Sequence, residues 1–154
     1  MKNLLSSLFI LIFCLSVYGQ EKIESETRPK LSDKAIVYFY SLSAITTLVR
    51  VNKPVFLDDK EIADIRPEKY FIVLLEPGTH TFRMKKKKIG GIEMNFQAGQ
   101  TYYIRVNWAT GNIVRPVSLS RIETESGAYD IKQLQPVKPE NITDKSRVFT
   151  ELPK

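Results

Sequence analysis

The sequence predicts an all-β domain, a sandwich or barrel of about eight antiparallel strands ended by a short helix. Two observations predict it. Between positions 35 and 134 apolar residues recur with a period of two rather than 3.6, which puts alternate side chains on opposite faces of a strand. Between those runs stand short groups rich in Gly, Pro, Asp and Asn, close enough together to make hairpins.

The strands follow in order. "KAIVYFY" (34–40) is apolar on both faces, as a central or doubly covered strand is. "LVRVNKPVFL" (48–57) holds Pro54, which has no N–H for a ladder, so the strand is an edge or is bulged there. "EIADI" (61–65) follows the turn Asp58-Asp59-Lys60-Glu61, and "YFIVLL" (70–75) is again apolar on both faces. It runs into Glu76-Pro77-Gly78-Thr79, a type II turn by composition: Pro sets φ at the first central position and Gly permits a positive φ at the second.

"THTFRM" (79–84), "IEMNFQ" (92–97) and "YYIRVNW" (102–108) alternate. In the last, Tyr102, Ile104, Val106 and Trp108 share one face, and Tyr103, Arg105 and Asn107 the other. "NIVRPVSL" (112–119) completes the set, with Pro116 marking another edge or bulge. Gly90-Gly91, Ala98-Gly99 and Thr110-Gly111-Asn112 supply the remaining turns. In "TESGAYDIKQLQ" (124–135) Tyr129, Ile131 and Leu134 fit a helical stripe, so a short helix ends the domain.

The flanks have other compositions. "MKNLLSSLFILIFCLSVYGQ" reads as a secretory signal over residues 1–19: Lys2 is the positive start, residues 4–17 are apolar apart from serines, and Val17-Tyr18-Gly19 offers a cleavage site after Gly19. The apolar run is short for a membrane span, which needs roughly 20 residues; an uncleaved anchor is the alternative. Residues 20–33 are polar and read as a linker. Residues 135–154, with Pro136, Pro139 and Pro153 among mixed charges, read as a flexible tail. The folded domain is therefore expected at 34–134.

Cys14 is the single cysteine and lies in the leader, so no disulfide staples the domain. Leu11-Ile12-Phe13 before it are poor surroundings for lipid attachment. Residues 20–154 carry 22 basic and 17 acidic side chains, a net of +5. That charge draws a protein towards anionic polymers or lipid headgroups, so the expected partners are envelope polyanions or an envelope protein, with peripheral membrane contact. Nucleic acid is not expected, because no helix-turn-helix or zinc-finger pattern is present.

Residues 76–91, "EPGTHTFRMKKKKIGG", hold the lone histidine and the densest charge. His80 alternates in step with Phe82 and Met84, on the face expected to point inward, and has no second histidine or cysteine with which to share a metal. Lys85, Lys86, Lys87 and Lys88 are the candidate contact with an anionic surface; lysines at a strand end also discourage edge-to-edge pairing. Asp58, Asp59, Glu61 and Asp64 lack the spacing and central glycine of a calcium loop and read as hairpin acids. Tyr103 and Arg105, beside Trp108, are the candidate stacking platform for sugars or peptides. Asn141-Ile142-Thr143 fits the glycosylation pattern on a tail where it carries little meaning. There is no thiol nucleophile outside the leader, no phosphate-cradling glycine loop and no G-x-S-x-G turn, so neither catalysis nor a cofactor is expected.

"KAIVYFY", "VFLDDKEIADIRPEKYFIVLLEPGTHTF" and "QAGQTYYIRVNW" together resemble a family of small bacterial exported and lipid-anchored proteins whose shared domain is of unknown function. The middle segment is also similar to the hairpin-and-turn pattern of PEGA-type surface domains. Asp58, Lys60, Pro77, Gly78, His80, Gly99, Tyr102 and Tyr103 carry the match, and they are turn and core positions. The resemblance implies a single β-sandwich of the transthyretin or immunoglobulin-like kind, outside the cytoplasm, and it implies no catalytic residue. The expected function is a non-enzymatic accessory or binding module of the cell envelope, periplasmic or envelope-associated. A periplasmic small-ligand carrier is the alternative.

Overall fold

In the computed structural model, residues 30–43, 52–85, 91–108 and 117–153 are described. The leader with Cys14, most of the linker, Lys86, Lys87, Lys88, Gly90, the turn at 110–112 and Pro116 lie outside them. Seven predicted runs hold strands, β1 (Ala35–Ser41), β2 (Lys53–Leu57), β3 (Lys60–Ile65), β4 (Lys69–Leu75), β5 (Gly78–Arg83), β6 (Ile92–Phe96) and β7 (Thr101–Asn107), and the eighth run shares only Ser118 and Leu119 with β8 (Ser118–Ile122). The predicted helix is α1 (Thr124–Ile131), but not with the expected stripe: Tyr129 is exposed, Leu134 lies past the helix end, and Gly127 is the residue it buries. Two further two-residue strands, β9 (Gln135–Pro136) and β10 (Val148–Phe149), come from the expected tail.

The strands form two sheets. The larger has the order β10-β4-β1-β7-β8 with β9 also on β4, and the smaller has the order β3-β2-β5-β6. Their facing sides meet in one aromatic and aliphatic core. Phe39 stacks on Phe71 at 5.2 Å and meets Phe82 of the other sheet at 5.4 Å, while Phe96 meets Tyr102 edge-on at 4.9 Å. Val55, Leu57, Ile62 and Ile65 fill the smaller sheet's side, and Val37, Val73 and Ile104 the larger's. The layout is sandwich-like.

The expectation of purely antiparallel pairing is corrected. β1 pairs antiparallel with β4, from Ala35↔Leu75 to Ser41↔Lys69, but parallel with β7, from Ile36↔Thr101 to Ser41↔Val106. β9 also lies parallel to β4. Parallel neighbours need a crossover rather than a hairpin. Here the chain leaves β4 for β5 and β6 in the smaller sheet and returns on the far side of β1.

Turn chemistry sets the β2–β3 hairpin. Asp58 and Asp59 join β2 to β3 with φ of 48° and 70°, two left-handed residues in a row as a type I′ turn requires. Aspartate tolerates this conformation better than most residues, and here it is tied down. Asp58 Oδ1 accepts from the Thr81 N–H at 3.0 Å, Asp58 Oδ2 lies 2.6 Å from His80 Nδ1, and Asp59 pairs with Arg83. His80 Nε2 lies 3.0 Å from the Glu76 carbonyl, so both ring nitrogens lie within hydrogen-bond reach of an oxygen. His80 thereby joins the Asp58 turn to the Pro77 turn. Gly78 opens β5 with φ of 139°, a conformation open to glycine but not the φ of about +80° of the expected type II turn, and Gly99 has φ of 70° between β6 and β7.

Pro54 sits where only β3 pairs with β2, and the β2–β3 register shifts between Val55 and Phe56. The bulge leaves Ile62 without a partner on β2, and its carbonyl accepts from the N–H groups of Thr143 and Asp144, both at 2.9 Å. This corrects the flexible tail. From Gln135 onward the chain is laid along β4 and β3. The Val137 N–H bonds the Tyr70 carbonyl at 2.8 Å, Ile142 bridges Ala63, and β10 pairs with Val73 and Ile72. Val137, Ile142 and Val148 are buried in the common core. The prolines that suggested looseness stand where no interior ladder N–H is needed. Burial pushes the Asp144 carboxyl up, but hydrogen bonds from Ser146 and Arg147 outweigh it and hold the group below its usual range.

Removing residues 135–154 should therefore lower the denaturant midpoint substantially, since each buried aliphatic side chain contributes about 1.5–3 kcal/mol. The tail's share should fade as pH falls below about 4, because the folded-state pKa of Asp144 is lowered. Chemical denaturation of full-length and truncated chains at neutral and acid pH checks this. Equal midpoints would show that the tail contributes nothing.

Candidate functional site

The outer face of the larger sheet carries the side chains that the core does not use. Alternation places Tyr38 and Tyr40 of β1, Tyr70 and Ile72 of β4, Tyr103, Arg105 and Asn107 of β7, and Ser118 and Ser120 of β8 on it. Register aligns them in rows: Ile72, Tyr38, Tyr103 and Ile122 in one, Tyr70, Tyr40, Arg105 and Ser120 in the next. Tyr38 and Tyr103 stack at 5.2 Å with their planes 11° apart, and Tyr70 lies 6.3 Å from Tyr38.

α1 lies on this face. Gly127 makes the approach possible: a Cβ there would stand 2.2 Å from Tyr103 Cγ, so no larger residue fits. A helical glycine costs about 1 kcal/mol relative to alanine, a cost offset by burying the Tyr103 ring. One turn on, the Tyr40 hydroxyl donates to Asp130 Oδ2 at 2.7 Å, and Arg105 Nη1 lies 3.9 Å from the same oxygen. Burial pushes the phenols of Tyr38 and Tyr103 above their ordinary range. Tyr40 is pushed up furthest, first by burial and then by its donation to Asp130.

Beside α1 lies a polar network. The Asn107 Oδ1 accepts from Arg105 Nε at 3.3 Å, while Asn107 Nδ2 donates to Ser120 Oγ at 2.8 Å and reaches Ser118 Oγ at 3.5 Å. Arg105 keeps 34 % of its side chain exposed. A second feature is an open groove of about 510 Å³ lined by Thr101, Tyr102, Arg121, Ile122, Glu123 and Thr124. In it the Arg121 guanidinium carbon sits 5.5 Å from the centre of the Tyr102 ring.

The structure separates the residues of the expected platform. Tyr103 and Arg105 share the outer face as expected, but Trp108 is on the opposite face, 9 % exposed, and donates from Nε1 to Ser41 Oγ in the core. The period of two requires this, because positions 105 and 108 differ in parity. Tyr103 is 8 % exposed beneath α1, so its ring stacks within the fold rather than offering a surface. Asn107, Ser118, Ser120 and Asp130 were not singled out from sequence. "RVN" and "SLS" showed the right alternation, but the register that sets Arg105 opposite Ser120 joins strands from separate segments. Lys85 is exposed just past β5, and the other three lysines of the run lie outside the described residues. His80 is a turn-joining residue, its side chain 18 % exposed. Among the described residues no three His, Cys, Asp or Glu side chains gather as a metal site would need, and no helix is long and apolar enough to cross a membrane.

Two packed sheets with one helix docked on an outer face define the class: a small β domain of sandwich-like layout. The family model described as "Protein of unknown function (DUF2846)" matches residues 31–118, and the chain belongs to that family. The match runs from the turn before β1 to the first residue of β8, so Arg105 and Asn107 lie inside it while α1 and the tail lie beyond. Comparison with curated proteins and with solved structures gives no match.

Tyr40→Phe should cost about 1.5–3 kcal/mol, the worth of a hydrogen bond to a charged acceptor. The raised tyrosine pKa values add a pH dependence. The folded state holds these protons more tightly than the unfolded one, so stability is full below the unfolded value near 10 and is lost as pH rises beyond it. Thermal denaturation of wild type and Tyr40→Phe across pH 7 to about 11 tests both statements. A flat wild-type profile above pH ~10 would contradict the burial of these phenols.

Proposed function

We propose that the protein is a non-enzymatic accessory or binding module of a bacterial cell envelope, exported by its leader and acting through contacts of its outer surface with an envelope polyanion or an envelope protein. The observation that carries this reading is the filled interior. Phe39, Phe71, Phe82 and Phe96 occupy the space between the sheets and are all 1 % exposed or less, which leaves recognition to the outside. The outside is suited to it, with a net charge of +5 over residues 20–154, an exposed Lys85 opening the lysine run, and Arg105 on the outer face. At a surface bearing anionic groups each basic residue contributes on the order of 1 kcal/mol, an attraction that salt screens.

The groove around Arg121 and Tyr102 favours a second reading, a carrier of a small ligand held at the edge of the larger sheet rather than inside it.

Fractionation of the source cells with sequential low-salt, high-salt and detergent washes discriminates these readings. The envelope reading expects release in high salt, and earlier release when Lys85, Lys86, Lys87 and Lys88 are all replaced by glutamine. Release only by detergent would mean a retained anchor or a lipid on Cys14. A freely soluble protein that co-purifies with a small molecule would favour the carrier.

A further inference from the structure

Among the described residues the network beside α1 has more donors than acceptors. Asn107 is fully engaged among the described residues: its carbonyl accepts from Arg105 Nε and its amide protons go to Ser120 and Ser118. Both serine oxygens act as acceptors in those bonds, which leaves each hydroxyl proton to be given elsewhere. Among the described residues the Arg105 Nη atoms also keep their protons, since Asp130 Oδ2 at 3.9 Å from Nη1 is beyond hydrogen-bond reach and orients the guanidinium electrostatically. Four side chains on two adjacent strands, Arg105 and Asn107 of β7 with Ser118 and Ser120 of β8, thus present one planar cationic fork and two neutral donors.

We propose that this patch is a binding site for an acidic sugar, with the carboxylate of a uronic-acid unit on Arg105 and its neighbouring ring oxygens and hydroxyls on Ser118 and Ser120. One cation beside several neutral donors matches one carboxylate among hydroxyls, and a guanidinium takes a carboxylate in two parallel bonds. A densely phosphorylated polymer or an acidic peptide would call for more than one cation. A bilayer surface fits poorly: α1 rises roughly 10 Å from the sheet beside the patch, a step that holds a flat surface away and admits a narrow polymer. The site is a property of the domain; only its biological partner, an acidic envelope polysaccharide, rests on the envelope reading.

The test uses the protein isolated after expression with its own leader, isotopically labelled, and titrated with a galacturonic-acid tetrasaccharide. Its methyl ester and phosphatidylglycerol vesicles serve as the comparison probes. The acid should shift the amide resonances of Arg105, Asn107, Ser118 and Ser120, and the ester should bind far more weakly. Arg105→Gln should weaken binding about tenfold, the loss of one charge-assisted contact. Ser120→Ala, a milder change that leaves the core untouched, should weaken it about threefold. Replacing Lys85, Lys86, Lys87 and Lys88 with glutamine should leave these shifts in place. Equal binding of acid and ester, unchanged affinity in both variants, shifts that follow the lysines, or binding to the vesicles alone would each overturn the proposal. Tetrasaccharide binding at Arg105 by a protein that fractionates as freely soluble would sink the envelope reading and keep the site. Salt-released envelope retention without tetrasaccharide binding would do the reverse.

Discussion

The double pairing of β1 is the constraint on which both faces of the molecule depend. Its backbone bonds β4 on one side and β7 on the other, so Val37 and Phe39 must enter the core while Tyr38 and Tyr40 must stand on the outer face. A slip of one residue would exchange the two sets and put both phenols against Phe71 and Phe82. Because β1 and β7 run parallel, the chain between them must cross to the other sheet, and that crossing supplies the layer which covers Phe39. Register, crossover and core are therefore one requirement seen at three scales.

The same pairing builds the outer face. Tyr38 and Tyr103 stand opposite each other in the β1–β7 register, which is why they stack, and the Tyr103 ring is the floor on which α1 lies. The helix is short, and an isolated helix of this length is marginal in water. Its stability comes from docking: Gly127 lets the backbone down onto Tyr103, and Asp130 accepts from the buried Tyr40. Asp130 is also the near neighbour of Arg105, so the contact that anchors the helix sets the electrostatic surroundings of the exposed guanidinium. One carboxylate thus faces both the buried Tyr40 hydroxyl and the Arg105 guanidinium.

The C-terminal segment shows how a local irregularity is put to use. Pro54 and the β2–β3 bulge leave the Ile62 carbonyl turned away from its ladder, and two tail N–H groups take it. Pairing of β10 and β9 with β4 then covers the other side of that strand. An edge that would otherwise offer unpaired backbone to another chain is closed by the protein's own end. Tail composition gave no hint of this, because hydrophilic residues with single buried anchors such as Val137, Ile142 and Val148 have no period to detect.

Strands β1 to β7, the Asp58-Asp59 turn and the helix α1 were legible because they depend on neighbours in sequence: alternation within "YYIRVNW", the acidic turn between two apolar runs, and the apolar double faces of "KAIVYFY" and "YFIVLL". The same alternation, followed strictly, already parted Trp108 from Arg105. Pairing across segments was not legible. That β7 lies parallel to β1, that Ser120 stands opposite Arg105, and that the tail closes β4 are contacts between residues far apart in the chain. By itself the sequence determined where β1 to β7 lie and which of their faces are apolar, since steric periodicity and turn preferences act over a few residues, whereas β9 and β10 carry no such local signal. Only the tertiary structure decided which strands are neighbours, and with that which polar groups meet, because register is settled by burying all the apolar faces at once.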